Sequence, residues 1–113
     1  MVARRAVGMS TLEYHVLLAM AEGPLHGYAI KEAVESESAG TLTPQAGSLY
    51  RVIARLLTRG LVREARPRGA SEVHPGLARR YYALTPAGRG ALTAEALRLK
   101  GAAALAEKRL GMA

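Results

Sequence analysis

The sequence lacks cysteine, tryptophan and phenylalanine throughout its 113 residues. Without cysteine, disulfide bonds, thiolate chemistry and sulfur-ligated metal are excluded. No apolar run approaches the length that a membrane-spanning helix needs, and the N-terminus lacks the apolar core of a signal peptide. We therefore expect a cytoplasmic protein.

Residues with catalytic or metal-binding chemistry are also scarce. The three histidines, His15, His26 and His74, are scattered, and no pair of them stands at the spacing of metal ligands. No nucleophile lies near a candidate base in the sequence. We therefore expect no catalytic residue, no metal and no cofactor, which leaves an enzyme or a metal sensor as the least supported function class.

Positive charge is abundant. Sixteen basic residues against nine acidic ones give a net charge of +7, and thirteen of the basic residues are arginine. The planar guanidinium of arginine suits phosphates and guanine edges better than the ammonium of lysine does. This balance implies a polyanionic partner, either nucleic acid or a membrane surface. The alternative is charge that serves solubility alone.

The segment from Thr43 to Gly60 has the start and stop signals of a helix. Thr43 is predicted to cap the first turn, Pro44 suits the first helical position, and Gly60 can take the left-handed conformation that ends a helix. The apolar residues inside the segment recur at helical spacing, which predicts one buried stripe made of Leu49, Val52, Ile53, Leu56 and Leu57.

The opposite face of this predicted helix carries cations and small residues but no acid, namely Gly47, Ser48, Arg51, Arg55 and Thr58. One interpretation is an ordinary solvated surface. Solvated helix faces usually mix both charge signs, however. A purely basic face with small polar residues near its N-terminus is typical of a helix that lies in the major groove of DNA.

Two shorter helices are predicted before this one. Residues 1–9 form a flexible arm, and Ser10 with Glu13 makes a capping box that opens a helix ending at Gly23-Pro24. A second helix opens at Leu25-His26-Gly27-Tyr28 and runs to about Glu37, with Tyr28, Ala29 and Ala33 as its buried side. The second and third helices together form a helix-turn-helix.

After Gly60 the periodicity changes to that of strands. Residues 61–66 and 80–84 are predicted strands, joined by a long tip at 67–79. Four arginines and one acid, Glu72, lie at or beside this tip; the arginines are Arg66, Arg68, Arg79 and Arg80. A basic hairpin after a helix-turn-helix indicates a wing that contacts the phosphate backbone or the minor groove. The alternative is an ordinary exposed loop.

A last helix is predicted from Thr85-Pro86 to about Leu110. It carries a heptad-like apolar seam with alternating spacings of four and three, composed of Leu92, Ala96, Leu99, Ala103, Ala106 and Leu110. Leu97 and Leu105 fall off this seam and indicate a wider apolar face. A helix this long cannot bury its seam on so small a body, so we expect a second subunit to cover it. The alternative is that the helix folds back as core.

In this order and with these gaps, several short motifs resemble the PadR-like transcriptional regulators, in their short subtype with a single C-terminal helix. The resemblance spans about residues 10–92 and rests on His26-Gly27-Tyr28, Thr43-Pro44, Gly47-Ser48-Leu49-Tyr50, Arg55-Leu56, Gly60-Leu61-Val62 and the run from Arg79 through Tyr81-Tyr82-Ala83-Leu84-Thr85-Pro86 to Arg89. The long tip at 67–79 departs from the family pattern, so the sequence does not define how its arginines reach DNA.

The resemblance implies a winged helix-turn-helix homodimer that binds operator DNA, usually as a repressor. By this likeness the residues that face DNA on the third helix are Gln45, Gly47, Ser48, Tyr50 and Arg51, while Arg79 and Arg80 hold the wing on phosphate. Some family members bind flat aromatic compounds between subunits through tryptophan. This chain has no tryptophan, so its sequence identifies no effector.

Taken together, the sequence predicts a mainly α fold with a small β-hairpin. Residues 10–85 form the winged helix-turn-helix domain, and residues 86–113 form the dimerisation helix. The expected function is sequence-specific regulation of transcription at an inverted-repeat operator. The alternative is a winged-helix module that binds an acidic protein and has no specific affinity for DNA.

Overall fold

The computed structural model describes residues 8–66 and 80–112. Along the chain these residues form α1 (Thr11–Ala19), β1 (Leu25–His26), α2 (Gly27–Glu37), α3 (Ala46–Thr58), β2 (Val62–Ala65), β3 (Tyr81–Leu84) and α4 (Pro86–Leu110). The first seven residues of the predicted arm and the predicted tip at 67–79, with Arg68 and Arg79, lie outside the described residues. The fold is a mainly helical winged helix with a small antiparallel sheet and a long C-terminal helix.

The core lies between the first three helices and the sheet. Helix α3 contributes four side chains that are almost completely buried, Leu49, Val52, Ile53 and Leu56. They pack against residues from every neighbouring element of the core. These are Val16 and Leu17 of α1 with its C-cap Met20, Ile30 and Val34 of α2, Val62 of β2, Tyr82 of β3 and Leu92 of α4. Burying each large aliphatic side chain contributes about 1.5–3 kcal/mol. The predicted stripe is confirmed, although Leu57 at its edge is only half-buried.

Local capping signals define the starts of α1 and α4 as predicted. At α1, the Ser10 hydroxyl accepts a hydrogen bond from the Glu13 backbone N–H at 3.0 Å, and the Glu13 carboxylate accepts one from the Ser10 N–H at 2.9 Å. At α4, the Thr85 hydroxyl accepts from the Gly88 N–H at 2.9 Å, and Pro86 occupies the first turn. Both caps satisfy amides that have no partner inside the helix.

The predicted start of α3 is wrong. The helix begins at Ala46, and its N-cap is Gln45, which has an extended backbone (φ −77°, ψ 159°) and makes no side-chain capping bond. The reason is the connection from α2. Leu42 packs against the core, and the residues from Leu42 to Gln45 stay outside any helix, so the first helical turn comes later than the Thr-Pro signal predicts. The predicted end is correct, since Gly60 is left-handed with φ 75°.

The sheet has three strands where the sequence predicted two. Leu25 and His26 were expected to open the second helix, but they form β1 and pair with β3, Leu25 opposite Tyr82 and His26 opposite Tyr81. The strand order is β1-β3-β2. A two-residue strand has no periodicity of its own, so only the pairing with β3 reveals it. The His26 ring also caps α2, because its Nδ1 accepts from the Ala29 N–H at 3.2 Å.

The predicted buried side of α2 is wrong at Tyr28, which is 61% exposed. The residues that α2 buries are Gly27, Ile30 and Val34, while Ala29 and Ala33 are half-buried. Because an α-helix turns by about 100° per residue, Tyr28 lies on the side of the helix opposite Ile30. The two large aliphatic residues therefore decide the buried face, and the tyrosine is left at the surface.

Helix α4 packs on the body only through its first turns. Gly88, Leu92 and Glu95 are buried, and Ala96 is half-buried. Every described residue from Leu97 onward is exposed, so this part of the helix does not fold back as core. None of the helices in the described parts of the chain is long and apolar enough to span a membrane.

The close approach of Gly88 in α4 to Leu61, which lies between α3 and β2, gives a test of this packing. A Cβ added to Gly88 would collide with the backbone carbonyl oxygen of Leu61, which also accepts a hydrogen bond from the Thr85 N–H at 3.1 Å. We expect Gly88→Ala to lower the free energy of unfolding by about 2 kcal/mol, because backbone atoms cannot move aside cheaply.

The matched control is Gly90→Ala in the same helix, where an added Cβ meets nothing within 4 Å. This change should raise the free energy of unfolding by about 0.5–1 kcal/mol through helix propensity. Urea unfolding at one fixed protein concentration measures both variants. Equal effects of the two substitutions would contradict the described approach of α4 to Leu61.

Candidate nucleic-acid interface

The exposed face of α3 is cationic from its middle to its C-terminal end. Arg51, Arg55 and Arg59 follow one another at intervals of one turn and are all exposed, and no acidic residue occurs between Ala46 and Thr58. With Ala54 and Thr58, the three arginines line a shallow depression of about 450 Å³. We call this surface the α3 arginine face. Its charge and shape suit a broad anionic partner better than a small enclosed ligand.

At the N-terminus of α3, backbone N–H groups can donate to a binding partner. The first amides of a helix have no intrahelical acceptor, and here Gln45 supplies no side-chain cap. Gly47 is exposed, and a Cβ at this position would meet only the Arg51 Nη1 atom at an ordinary 3.7 Å. The fold therefore does not require glycine at position 47. A helix start with open amides and little side-chain bulk can accept a phosphate at close range.

Two predicted site residues on the next turn contact each other. The Arg51 guanidinium donates to the Ser48 hydroxyl from Nη2 at 3.3 Å, on an exposed part of α3. Such a bond is weak in water. It leaves Arg51 with most of its donor groups for an acceptor on a partner.

Tyr50 links the arginine face to α2 and the sheet. Its side chain is half exposed, and its hydroxyl end lies so close to Gly27 that a Cβ at Gly27 would collide with it. Burial first, and the phenol of Tyr50 second, raise the pKa of Tyr82 on β3 above its ordinary value. Glycine at position 27 therefore lets α2 approach Tyr50 at the start of α3.

Arg55 and Arg59 share a buried partner that the sequence did not reveal. The Glu13 carboxylate on α1 accepts from Arg55 Nε and Nη2, both at 3.4 Å, and lies 3.8 Å from Arg59 Nη1. The sequence indicated only the capping role of Glu13. Arg55 and Glu13 are 42 positions apart, so no local pattern could have paired them.

The paired strands β2 and β3 bring two predicted arginines together. Ala65 on β2 pairs with Tyr81 on β3, so Arg66 and Arg80 flank the same end of the hairpin, and both are exposed. Arg80 makes an ion pair with Glu64 at 3.1 Å. Exposed pairs of this kind contribute at most about 1 kcal/mol and are weakened by salt. A phosphate could therefore compete for Arg80.

Comparisons with known proteins place this arrangement among transcriptional regulators. Residues 16–94 match the family described as the transcriptional regulator PadR-like family. An uncharacterized 37.1 kDa protein in transposon TN4556 of Streptomyces fradiae is 47% identical over 81 residues, which is 72% of this chain and 21% of that protein. The chain therefore spans about a fifth of the length of this relative.

Solved structures share the fold over most of the chain. A PadR family transcription regulator from Clostridium difficile R20291 superposes with a TM-score of 0.72 at 17% identity, covering 89% of this chain and 99% of that one. A PadR family transcriptional regulator from Eggerthella lenta has a TM-score of 0.64 at 27% identity, with 88% and 81% covered. Bacillus subtilis PadR in complex with operator DNA has a TM-score of 0.59 at 20% identity, with 74% and 45% covered.

The close approach of Gly27 and Tyr50 can be tested by a double-mutant cycle. We expect Gly27→Ala to destabilise the protein by about 1–3 kcal/mol, because the added methyl group forces the Tyr50 ring out of place. In a Tyr50→Ala background the same substitution should be nearly neutral, since the colliding atoms are gone. Urea unfolding of the four proteins measures the coupling energy. Additive effects would mean that the two residues are not in contact.

Proposed function

Because the chain belongs to the PadR-like family of transcriptional regulators, we propose that it binds operator DNA sequence-specifically as a homodimer and represses transcription. The observation that carries this proposal is the two-sided character of α3. One side supplies four core residues, and the other presents Arg51 and Arg55, with Arg59 at the C-cap, and carries no acid of its own. A helix anchored by its apolar side, with a basic side that carries no acid of its own, is suited to the major groove.

The known DNA complex of a structural relative supports the same assignment. Bacillus subtilis PadR shares the fold over 74% of this chain and was solved with operator DNA. In this chain, α3 is the helix whose exposed side carries the arginine face. We therefore assign α3 as the recognition helix, the element whose side chains meet the base edges.

The proposed contacts divide into two kinds. At the start of α3, the residues that face bases and determine register are Gln45, Gly47, Ser48, Tyr50 and Arg51. Phosphate contacts come from Arg55 and from the wing residues Arg66, Arg68, Arg79 and Arg80, of which Arg68 and Arg79 are assigned from the sequence alone. Phosphate contacts release counterions and add affinity for any sequence, whereas base contacts discriminate between sequences.

We assign α4 as the dimerisation helix. On the predicted seam, its exposed part carries Leu99 (38% exposed) and Leu110 (73%), which are apolar side chains that a free helix would leave in water. The proposed seam is the predicted one, with Leu92 at its buried beginning, followed by Ala96, Leu99, Ala103, Ala106 and Leu110. In this division, residues 10–85 bind DNA and residues 86–113 hold the dimer. Met9, which the sequence placed in the N-terminal arm, instead packs against the core.

Two-fold symmetry then has a consequence for the DNA. A symmetric dimer presents two copies of α3 related by a rotation, so its operator is an inverted repeat. The half-sites are expected about one helical turn apart, roughly 34 Å between centres. A ligand that changed the angle between the two recognition helices would alter affinity, although the sequence and the fold identify no such ligand.

The division between base and phosphate contacts can be tested with Arg51→Ala and Arg66→Ala. The probes are the duplex upstream of the protein's own gene and a scrambled duplex, measured by fluorescence anisotropy over a salt series. We expect Arg51→Ala to weaken binding to the upstream duplex about tenfold, with little effect on the scrambled one, since a base contact is worth about 1–3 kcal/mol.

Arg66→Ala should instead weaken binding to both duplexes alike and make the salt dependence shallower by about one unit of slope. Equal losses for the two variants on both duplexes would contradict the division of roles. If the unaltered protein did not distinguish the two duplexes at any salt concentration, the result would favour a module that binds an acidic protein.

The dimer can be tested with Leu99→Lys, which places a charge on the proposed seam. We expect this variant to dissociate into monomers, because a buried lysine without a partner opposes association. The control is Ala94→Lys, which introduces the same side chain at an exposed position on the side of α4 away from the seam. Sedimentation equilibrium gives both masses. A dimer of unchanged stability in Leu99→Lys would show that the seam is not the interface.

A further inference from the structure

Glu13 is a buried carboxylate directly beneath the α3 arginine face. The residue is only 8% exposed, and both of its oxygens are used. Oε1 accepts from the Ser10 backbone N–H at 2.9 Å. Oε2 accepts from Nε and Nη2 of Arg55, each at 3.4 Å, and lies 3.8 Å from Nη1 of Arg59. One side chain thus joins the start of α1 to two consecutive turns of α3.

The position of this carboxylate is fixed before any partner binds. The capping box holds Glu13 from two directions, since its own N–H donates to the Ser10 hydroxyl at 3.0 Å while Oε1 accepts from Ser10. The neighbouring core residues Val16 and Leu17 anchor α1 itself. Oε2 is therefore a stationary negative charge, and the arginines that pair with it are held in place.

The two arginines remain partly open to solvent. Their side chains are 55% exposed for Arg55 and 45% exposed for Arg59. A guanidinium has five N–H donors in one plane, and the bonds to Glu13 occupy only some of them. Arg55 can therefore keep its hydrogen bonds to Glu13, and Arg59 its ion pair with Glu13, while each still donates to an acceptor on a partner at the surface of α3.

We propose that Glu13 is a positioning residue of the DNA interface, which holds the guanidinium groups of Arg55 and Arg59 ready for backbone phosphates. The proposal rests on the DNA-binding function above and adds both a phosphate contact for Arg59 and a role for an acidic residue. Long flexible side chains lose rotamer freedom when they bind. Glu13 removes that freedom in the unbound protein, so less is lost when DNA arrives.

A simple count of charges predicts the opposite effect. Glu13 is negative and lies close to the surface that meets a polyanion, so removing its charge should tighten binding through long-range attraction. Positioning predicts weaker binding after the same change. The two explanations differ in sign, which makes one substitution decisive.

The test is Glu13→Gln, with Glu22→Gln as the matched control. The glutamine oxygen can still accept from the Ser10 N–H, so the capping box is preserved, while the charged hydrogen bonds from Arg55 and the ion pair with Arg59 are lost. Glu22 is exposed, and the described residues show no hydrogen bond or ion pair from it to α3. Both variants raise the net charge by one, and thermal unfolding verifies that both are folded.

Binding is measured by anisotropy on the upstream duplex and on the scrambled duplex over a salt series. We expect Glu13→Gln to bind both duplexes about tenfold more weakly with a salt slope shallower by about one. Glu22→Gln should bind as tightly as the unaltered protein or slightly more tightly. Glu13→Gln binding as tightly as Glu22→Gln would overturn the proposal.

A second set of variants separates positioning from a purely structural role. In an Arg55→Gln, Arg59→Gln background, Glu13→Gln should have no further effect on DNA affinity, because the groups that it positions are gone. A persisting loss in that background would overturn the proposal.

If Glu13→Gln fails to fold, Arg55→Lys with Arg59→Lys keeps the charge but removes the planar donors. This variant should show the same loss, and unchanged affinity would count against positioning.

The scrambled duplex keeps this test separate from the proposed function. Phosphate contacts do not depend on sequence, so a difference between the Glu13 and Glu22 variants on scrambled DNA supports positioning even without an operator. If the unaltered protein did not prefer the upstream duplex, that result would count against sequence-specific regulation. The role of Glu13 would still be tested by binding to the scrambled duplex.

Discussion

The packing of α3 against α1 and α2 is the interaction on which the rest of the molecule depends. Leu49, Val52, Ile53 and Leu56 leave almost no surface to solvent, and their burial fixes both the position and the rotation of the helix. Because the apolar stripe determines which side of α3 is buried in the core, it also determines that the arginine face is exposed to solvent. The hydrophobic core and the proposed DNA interface are therefore two consequences of one amphipathic helix.

Features that depend on neighbours in sequence were predictable. The capping box at Ser10, the Thr85-Pro86 start of α4, the Gly60 stop and the α3 stripe all follow from local hydrogen bonding and helical spacing. The errors lie where distant residues compete with a local signal. Thr43-Pro44 has the same form as Thr85-Pro86, yet only the second pair starts a helix. The first pair lies between Leu42, which packs against the core, and the extended N-cap Gln45.

The candidate site was predictable to a similar extent. The cationic face of α3 could be inferred from the spacing of its arginines, and Arg51 and Arg55 are exposed there. Arg66 and Arg80, at the wing strands, are exposed as well. The link from Arg55 to Glu13 crosses 42 positions and arises only when α1 docks on α3. Glu13, the acidic residue of the α1 capping box, therefore also accepts hydrogen bonds from Arg55 on the arginine face. One carboxylate thus contributes both to the start of α1 and to the position of a surface charge.

We infer above all that this chain is a two-fold symmetric, sequence-specific DNA-binding protein. The most direct measurement is selection of bound duplexes from a random library at physiological salt, followed by sequencing. We expect enrichment of one inverted repeat whose half-sites are separated by about one helical turn. Recovery of duplexes with no shared sequence would contradict this inference, since the arginines would then supply only sequence-independent attraction to phosphate.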